Sequence, residues 1–423
     1  MDKEFSLQAV PQSHRNGFFK MFVVMLGFTF FSASMLSGGE LGLGLSMQEI
    51  IWIVLLGNLI LGLYTGGLAY IAAKTGLSTH LLARYAFGEK GSYLVSFLLG
   101  ATQVGWFGVG LAMFAVPVHK VTGINMLTLI IIAGIMMTFS AFFGMKALAI
   151  LSFIAVPAIA ILGSTSVGIA INDLGGMTEL FAYQPDASAT LGLATALTIC
   201  VGSFASGGTL TPDFARFAKT KKTAVITTLI AFFIGNSLMF LFGAVGAIST
   251  GLGDISEVMI VQGLIVPAII VLGLNIWTTN DNSLYASGLG FSNITKIKKS
   301  KVVIFNEIVG TIFAMWLYNN FVDWLTLLGG ALPPIGAILL ADFFLLNRGN
   351  YQPIEKMTFQ VVRWPAIIAW TGGFASAQWL PGIPPLNGII SATVLYIGLT
   401  FIVEKVMKTD KVRLQSAGVK NSH

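Results

Sequence analysis

An all-α integral membrane fold of about twelve transmembrane helices is predicted by three observations: a charge-poor composition, twelve apolar runs of spanning length, and connections whose charge alternates in sign. Hydrophobic residues make up 55% of the 423 and charged residues only 10%, against roughly a quarter charged in soluble domains. No water-soluble core absorbs that much apolar surface. A bilayer does, because a helix of about 20 apolar residues crosses the hydrocarbon with its own backbone hydrogen bonds satisfied.

The runs fall at 21–43, 49–73, 93–118, 124–145, 147–171, 191–212, 222–248, 259–285, 302–318, 321–345, 362–380 and 385–404. Connections expected inside carry Lys74, Arg84 and Lys90; Lys146; Arg216, Lys219, Lys221 and Lys222; Lys296, Lys298, Lys299 and Lys301; and Arg348, Lys356 and Arg363. The tail adds Lys405, Lys408, Lys411 and Arg413. Connections expected outside carry Glu40 and Glu49; Asp173, Glu179 and Asp186; Asp254 and Glu257; and Asp323, with Lys120 as the exception. Basic residues concentrate on the cytoplasmic side of membrane proteins, so both termini are expected there, in a bacterial inner membrane. The net charge of +6 then belongs to topology: the expected partner is membrane lipid, not nucleic acid.

The polar stretch 1–20 leads into the first run without a convincing cleavage site, so that helix is expected to remain. Cys200, the single cysteine, excludes an intramolecular disulfide or a thiol metal cluster. The longest polar stretches, near 172–190 and 347–360, are too short to fold alone. One membrane transport domain over 1–423, expected to be monomeric, is the economical organisation.

Run one contains Gly27-Phe28-Thr29-Phe30-Phe31-Ser32-Ala33-Ser34-Met35-Leu36-Ser37-Gly38-Gly39, and run six contains Gly202-Ser203-Phe204-Ala205-Ser206-Gly207-Gly208-Thr209. Glycine and small hydroxyl residues weaken helix propensity at mid-membrane. Broken helices at matching positions of two halves point to a carrier's midplane site; close packing through small residues is the bland alternative. Their separation by five runs matches an inverted repeat, with repeat one over about 21–171, repeat two over about 191–345, and two extra helices over about 362–404. In run three, Gln103 and Trp106 are three apart and share a helix face. An indole offers a stacking surface and a carboxamide both donates and accepts, which suits a flat polar heterocycle. Run eight closes on Asn275-Ile276-Trp277-Thr278-Thr279-Asn280-Asp281-Asn282. Its adjacent hydroxyls, one turn beyond the Asn275 carbonyl, offer oxygen to a small hard cation or bond back into the preceding turn.

The segments TFFSASM, THLLARYAFGEKGS, GATQVGWFGVG, GSFASGGTLTPDFARF, LGLNIWTTNDNSLYASGLGF and WLYNNF resemble the nucleobase-cation symport family across nearly the whole chain. The resemblance implies a five-plus-five inverted-repeat fold of the LeuT type, import of a nucleobase with cytosine as the expected substrate, and sodium as the coupling ion. It places Trp106 and Phe204 on opposite faces of the base and Gln103 at its edge, with Ser203, Ser206 and a loosened backbone at Gly207 completing the polar contacts. For sodium it implies the carbonyls of Gly27, Phe30 and Asn275 and the hydroxyls of Thr278 and Thr279. Compared with the family's hydantoin carriers, Phe204 stands for a tryptophan and Leu284 for a substrate-bonding asparagine, which favours a smaller base.

Other classes lack their residues. The four histidines, at 14, 80, 119 and 423, are expected in loops or tails and form no His-Glu-x-x-His helix, so an intramembrane zinc protease is excluded. An ATP-driven pump needs a G-x-x-x-x-G-K-[ST] run, and Gly88-Glu89-Lys90-Gly91-Ser92 lacks the spacing. No repeated pore loop suggests a channel. Proton coupling, to import a related purine or hydantoin-like substrate, is the alternative mechanism; Glu307 and Asp342 are its candidate titrating groups, since ionisable residues inside a membrane are functional by default.

Overall fold

A computed structural model describes residues 5–141 and 145–419, without the side chains of 139–148, 321–323, 325, 326 and 407–419. Lys146, Asp323, Lys408, Lys411 and Arg413 of the charge pattern therefore lie outside the described residues. The first apolar run folds as two helices, α1 (Phe18–Thr29) and α2 (Ser32–Gly44), meeting at 50°. Next come α3 (Met47–Thr75), the short α4 (Thr79–Phe87), α5 (Gly91–Thr122), α6 (Met126–Ala141), α7 (Met145–Leu174) and α8 (Met177–Ala182). The second half holds α9 (Leu193–Thr209), α10 (Thr211–Ala215), α11 (Lys221–Ile230), α12 (Ser237–Thr250), α13 (Ile255–Val261), α14 (Ile265–Thr295), α15 (Lys299–Asn319), α16 (Phe321–Ala331) and α17 (Pro333–Leu340). The chain closes on α18 (Trp364–Trp379) and α19 (Pro384–Val419).

Each apolar run, as far as its residues are described, lies on one of these helices or on a pair of them. Among the described residues seven helices are long and apolar enough to cross a membrane, and the bent pair α1–α2 makes an eighth. α6 and α9 are apolar but shorter. α14 has the length, but its middle is the polar stretch from Asn275 to Ser283.

Side-chain bonds tie the basic connections together at one end of the bundle. Arg84 Nη2 donates to Asn293 Oδ1 at 2.6 Å, Lys74 Nζ to Asn350 Oδ1 at 2.7 Å and Tyr85 OH to the Gln352 carbonyl at 2.6 Å. At the other end Lys120, the exception to the charge alternation, ion-pairs with Glu257, so it offsets an acid of its own face. His80 and His119 are not in loops: His80 lies in the first turn of α4, fully buried, and His119 lies in the last turn of α5. His80 Nε2 lies 3.5 Å from Asp213 Oδ2, while Asp213 Oδ1 accepts from the Thr79 N–H at 2.8 Å. Arg216 donates to Tyr285 OH and to the Phe5 carbonyl, both at 2.9 Å. These contacts fasten α4, α10, α14 and the N-terminal segment to one another.

Small residues bring helices into backbone contact, as close packing in membranes requires. α2 lies on α12 through Gly38, Gly39 and Gly42 against Phe240, Gly243 and Ala244; a Cβ on Gly243 would stand 1.8 Å from the Met35 carbonyl. A polar chain locks the same region to α3: Ser34 donates to Asn236 at 2.7 Å, Asn236 to Asn58 at 2.7 Å and Asn58 to Ser237 at 3.1 Å, all buried. Asn236 closes a π-helical turn, Ala231–Asn236, between α11 and α12; such turns add one residue and re-aim the side chains that follow.

Gly243→Val drives a branched side chain into the α2 backbone and is expected to destabilise the fold by about 1–3 kcal/mol or more. Gly168, on α7, has nothing within 4 Å of a built Cβ, so Gly168→Ala is expected to be neutral or stabilising by up to about 1 kcal/mol. Thermal unfolding of the purified protein checks both; equal midpoints for the two variants would refute the packing assignment.

Candidate functional site

Between Thr29 and Ser32 the chain leaves the helix: Phe30 has φ −75°, ψ 81° and Phe31 φ −123°, ψ 124°. The sequence Phe28-Thr29-Phe30-Phe31 consists of residues that lose side-chain freedom in a helix. An extended residue at membrane depth strands backbone groups that water cannot reach, each costly to bury unpaired. The side chain of Asn275 on α14 takes two of them: its Oδ1 accepts from the Ser32 N–H at 2.9 Å and its Nδ2 donates to the Phe30 carbonyl. Asn275 is only 1% exposed.

The second break is displaced from the position expected. α9 continues through Gly207 and Gly208 to Thr209, so the backbone at Gly207 is helical rather than loosened; the interruption is at Leu210, with φ −89° and ψ 4°. Pro212, in the first turn of α10, explains the place, because it has no N–H to offer the Gly208 carbonyl four residues earlier. Gly208 serves packing instead: a Cβ there would meet the Thr65 side chain at 3.0 Å.

A cavity opens where the break in the first run faces α5, α9 and α14. It is lined by Gln103, Trp106, Ser203, Phe204, Gly207 and Thr279, together with Phe28, Phe31, Asn282 and Ser283. Ser206 stands behind the wall, its Oγ accepting from Gln103 Nε2 at 3.2 Å. That bond orients the Gln103 amide. Its carbonyl oxygen has no protein donor among the described residues. The Ser203 hydroxyl donates to the Cys200 carbonyl at 3.0 Å, which leaves its lone pairs as acceptors. The aromatic wall is set edge to face: Phe31 lies 5.2 Å from Trp106 and 6.1 Å from Phe204, at ring angles of 74° and 90°. Phe28 and Phe232 brace Phe204 at 5.2 and 5.1 Å.

Phe28, Phe31, Asn282 and Ser283 were not among the expected site residues. Phe28 and Phe31 stood inside the glycine-hydroxyl run; Phe28 reaches the cavity from the last turn of α1, and the unwinding turns Phe31 to it. Leu284 is a correction of another kind. It packs, fully buried, with Phe107 and Leu111 and does not line the cavity; Asn282 and Ser283 meet it at that level. The contrast with hydantoin carriers at Leu284 therefore says nothing about the substrate.

Of the cation candidates, Phe30 and Asn275 are in contact, and Thr279 lines the cavity beside them. Thr279 donates to the carbonyls of Asn275 and Ile276 at 3.1 and 3.0 Å, and Thr278 to that of Leu274 at 2.9 Å. A hydroxyl that donates into its own helix turns its lone pairs outward, so back-bonding and cation binding are compatible. The Gly27 carbonyl lies in the last turn of α1, where no backbone N–H of the described residues reaches it; its Cα faces Ser152 of α7. All are neutral oxygens, and no group of three or more His, Cys, Asp or Glu able to hold a metal exists among the described residues. The two titratable candidates lie apart. Asp342 accepts from Tyr351 and Tyr396 at 2.5 Å, from Arg363 at 3.0 Å and from Asn347 at 3.1 Å. Four donors make it a structural anchor. Glu307 is half-buried on α15, accepting from Thr311 at 3.2 Å.

Bent apolar spans around a mostly neutral cavity define the class of a multi-pass membrane transporter. Residues 9–403 match the family described as permease for cytosine/purines, uracil, thiamine, allantoin, and the chain belongs to that family. It is 54% identical over 404 residues to the cytosine permease of Escherichia coli strain K12, covering 96% of both chains. It is 23% identical over 362 residues to the hydantoin permease of Microbacterium maritypicum, covering 77% of this chain and 74% of that one. Among solved structures, a nucleobase-cation-symport-1 family transporter in a closed conformation with bromovinylhydantoin bound superposes with a TM-score of 0.83 at 20% identity, over 95% of this chain and 96% of the other. A sodium-coupled sialic acid symporter superposes with a TM-score of 0.70 at 14% identity, over 93% and 90%. The fold is thus of the LeuT-like type.

Asn275→Leu keeps the volume but leaves the Phe30 carbonyl and the Ser32 N–H buried without a partner, at about 1–3 kcal/mol for each group. A lowered thermal midpoint is expected. A midpoint within error of wild type would show that the amide does not hold the break.

Proposed function

We propose that the protein imports cytosine across the bacterial inner membrane by sodium symport, as one transport domain built on an inverted repeat, with both termini in the cytoplasm. The observation that carries this reading is the cavity: an indole and a phenyl ring, Trp106 and Phe204, on separate helices of a slot edged by the Gln103 amide, in a chain 54% identical to a cytosine permease. A flat base stacks on the rings, and the Gln103 carbonyl accepts from an exocyclic amine while Ser203, Asn282 and Ser283 supply further polar contacts. Sodium as cargo is supported by the neutral oxygens of Phe30, Asn275, Thr278 and Thr279 at the junction of the break with α14. A divalent ion would normally draw carboxylates into its shell. The four donors on Asp342 argue against that residue as a proton carrier. One charge entering down about 100 mV supplies roughly 2.3 kcal/mol, about fortyfold accumulation of a neutral base.

In this mechanism sodium ties the break to α14 and favours the arrangement that binds the base; linkage then requires each ligand to tighten the other by the same factor. Trp106→Ala removes a stacking face and is expected to weaken cytosine binding about five- to a hundredfold, with the fold intact. Wild-type affinity in that variant would move the substrate elsewhere. Thr279→Val retains shape but loses the oxygen, so the sodium concentration for half-maximal uptake should rise while base affinity at saturating sodium changes much less. Equal cytosine affinity in sodium and in choline at constant ionic strength, or uptake driven by a pH gradient without sodium, would sink the sodium assignment. Glu307 would then be the group to test.

A further inference from the structure

We propose that a basic recess beside the N-terminal segment holds the phosphate of an anionic phospholipid. Arg15, Lys74, Lys219 and Lys221 line it, together with Gln12 and Thr220. The residues come from three stretches: the segment ahead of α1, the end of α3, and the connection from α10 to α11. Backbone and side-chain bonds fix their convergence. Arg15 Nη1 donates to the Ala73 carbonyl at 2.5 Å and Gln12 Nε2 to the Lys219 carbonyl at 2.8 Å, while Asn16 and the Phe217–Lys219 stretch exchange backbone bonds of 2.6 and 2.9 Å.

Among the described residues no carboxylate is paired with these four cations. The ion pairs His80–Asp213, Lys120–Glu257 and Arg363–Asp342 all lie elsewhere. Burial pushes the Arg15 guanidinium below its ordinary pKa, the direction expected where charge is desolvated with no nearby acid to offset it. The tendency of basic residues to gather on one side of a membrane accounts for lysines in these connections. It does not account for Arg15, Lys219 and Lys221 lining one recess without a carboxylate among the described residues, while Lys74 at its edge bonds the Gly349 carbonyl and Asn350 Oδ1.

Depth selects a lipid over a soluble anion. Lys74 is in the last turn of the crossing Met47–Thr75, and Lys221 is the first residue of the crossing Lys221–Thr250. The recess thus lies at the water–hydrocarbon boundary, where lipid phosphates reside. Lys221 Nζ sits 5.3 Å from the Tyr70 ring, and tyrosine is enriched at that boundary. Deeper along the same pair of crossings, Leu59, Leu63, Phe233 and Ile234 are exposed, an apolar wall for acyl chains. The first turn of α11 adds unspent N–H groups, and its positive dipole end favours a phosphate. A phospholipid bound here joins the N-terminal segment to the crossings on either side of it.

The test is thermal unfolding of the full chain in mild detergent, titrated separately with phosphatidylglycerol, phosphatidylcholine and inorganic phosphate. Phosphatidylglycerol should raise the wild-type midpoint and the other two should not. The exposed lysines of the recess can be removed without touching the core, and Lys219→Gln/Lys221→Gln should need about thirtyfold more phosphatidylglycerol for the same rise, the loss of two lysine contacts to an anionic lipid. Lys298→Gln/Lys301→Gln, which removes the same charge elsewhere on that face, should respond as wild type. Equal response of the two double variants, or an equal effect of phosphatidylcholine, overturns the site. Stabilisation by inorganic phosphate alone overturns the lipid assignment in favour of a soluble anion.

Discussion

The Asn275 amide is the interaction on which the rest of the site depends. A helix crossing a bilayer can stop and restart only if the backbone groups it releases are bonded within the protein. Here a single side chain from a neighbouring helix bonds a carbonyl and an N–H on either side of one extended residue. Because those bonds are made, Phe31 leaves the helical path and its ring turns toward Trp106 and Phe204. The cavity, its aromatic wall and the released Phe30 carbonyl all follow from that displacement.

The surrounding helices are organised to hold the two sides of the break differently. α2 is set on α12 by glycine contacts and by the Ser34–Asn236–Asn58 chain, which leaves it little freedom to shift relative to α3. α1 instead packs near Ser152 of α7, and its end meets α14 through Asn275. Coupling substrate to ion requires that both act on one element with two arrangements. The break is placed for both to act on it, since a base in the cavity would touch Phe28 and Phe31 while a cation would touch the Phe30 carbonyl between them.

Membrane charge is spent sparingly in this chain. Asp342 is satisfied by four donors, Asp213 is held by Thr79 and His80, and Arg216 is divided among carbonyls and a phenol. These buried charges join loops and short helices at the basic end. The cavity itself is neutral, which suits an uncharged heterocycle and a monovalent ion, because neither brings a charge large enough to offset the desolvation of a carboxylate.

Composition, the period of apolar runs and the sign of the connections determined the all-helical membrane fold, because the bilayer penalises any other way of burying such a chain. Much of the site was also legible locally. Gln103 and Trp106 share a face by spacing alone, and Ser203 and Phe204 stand in a small-residue run that packing or a cavity would each require. The tertiary structure decided what helical period does not encode. It placed the second break at Leu210 rather than Gly207, because a proline four residues beyond Gly208 outweighs glycine propensity. It gave Asn275 a role for its side chain where only its carbonyl had been considered, because the groups it bonds lie more than 240 residues away. It turned Phe28, Phe31, Asn282 and Ser283 into the cavity and Leu284 out of it, since which face of a buried helix meets a void depends on the helices opposite.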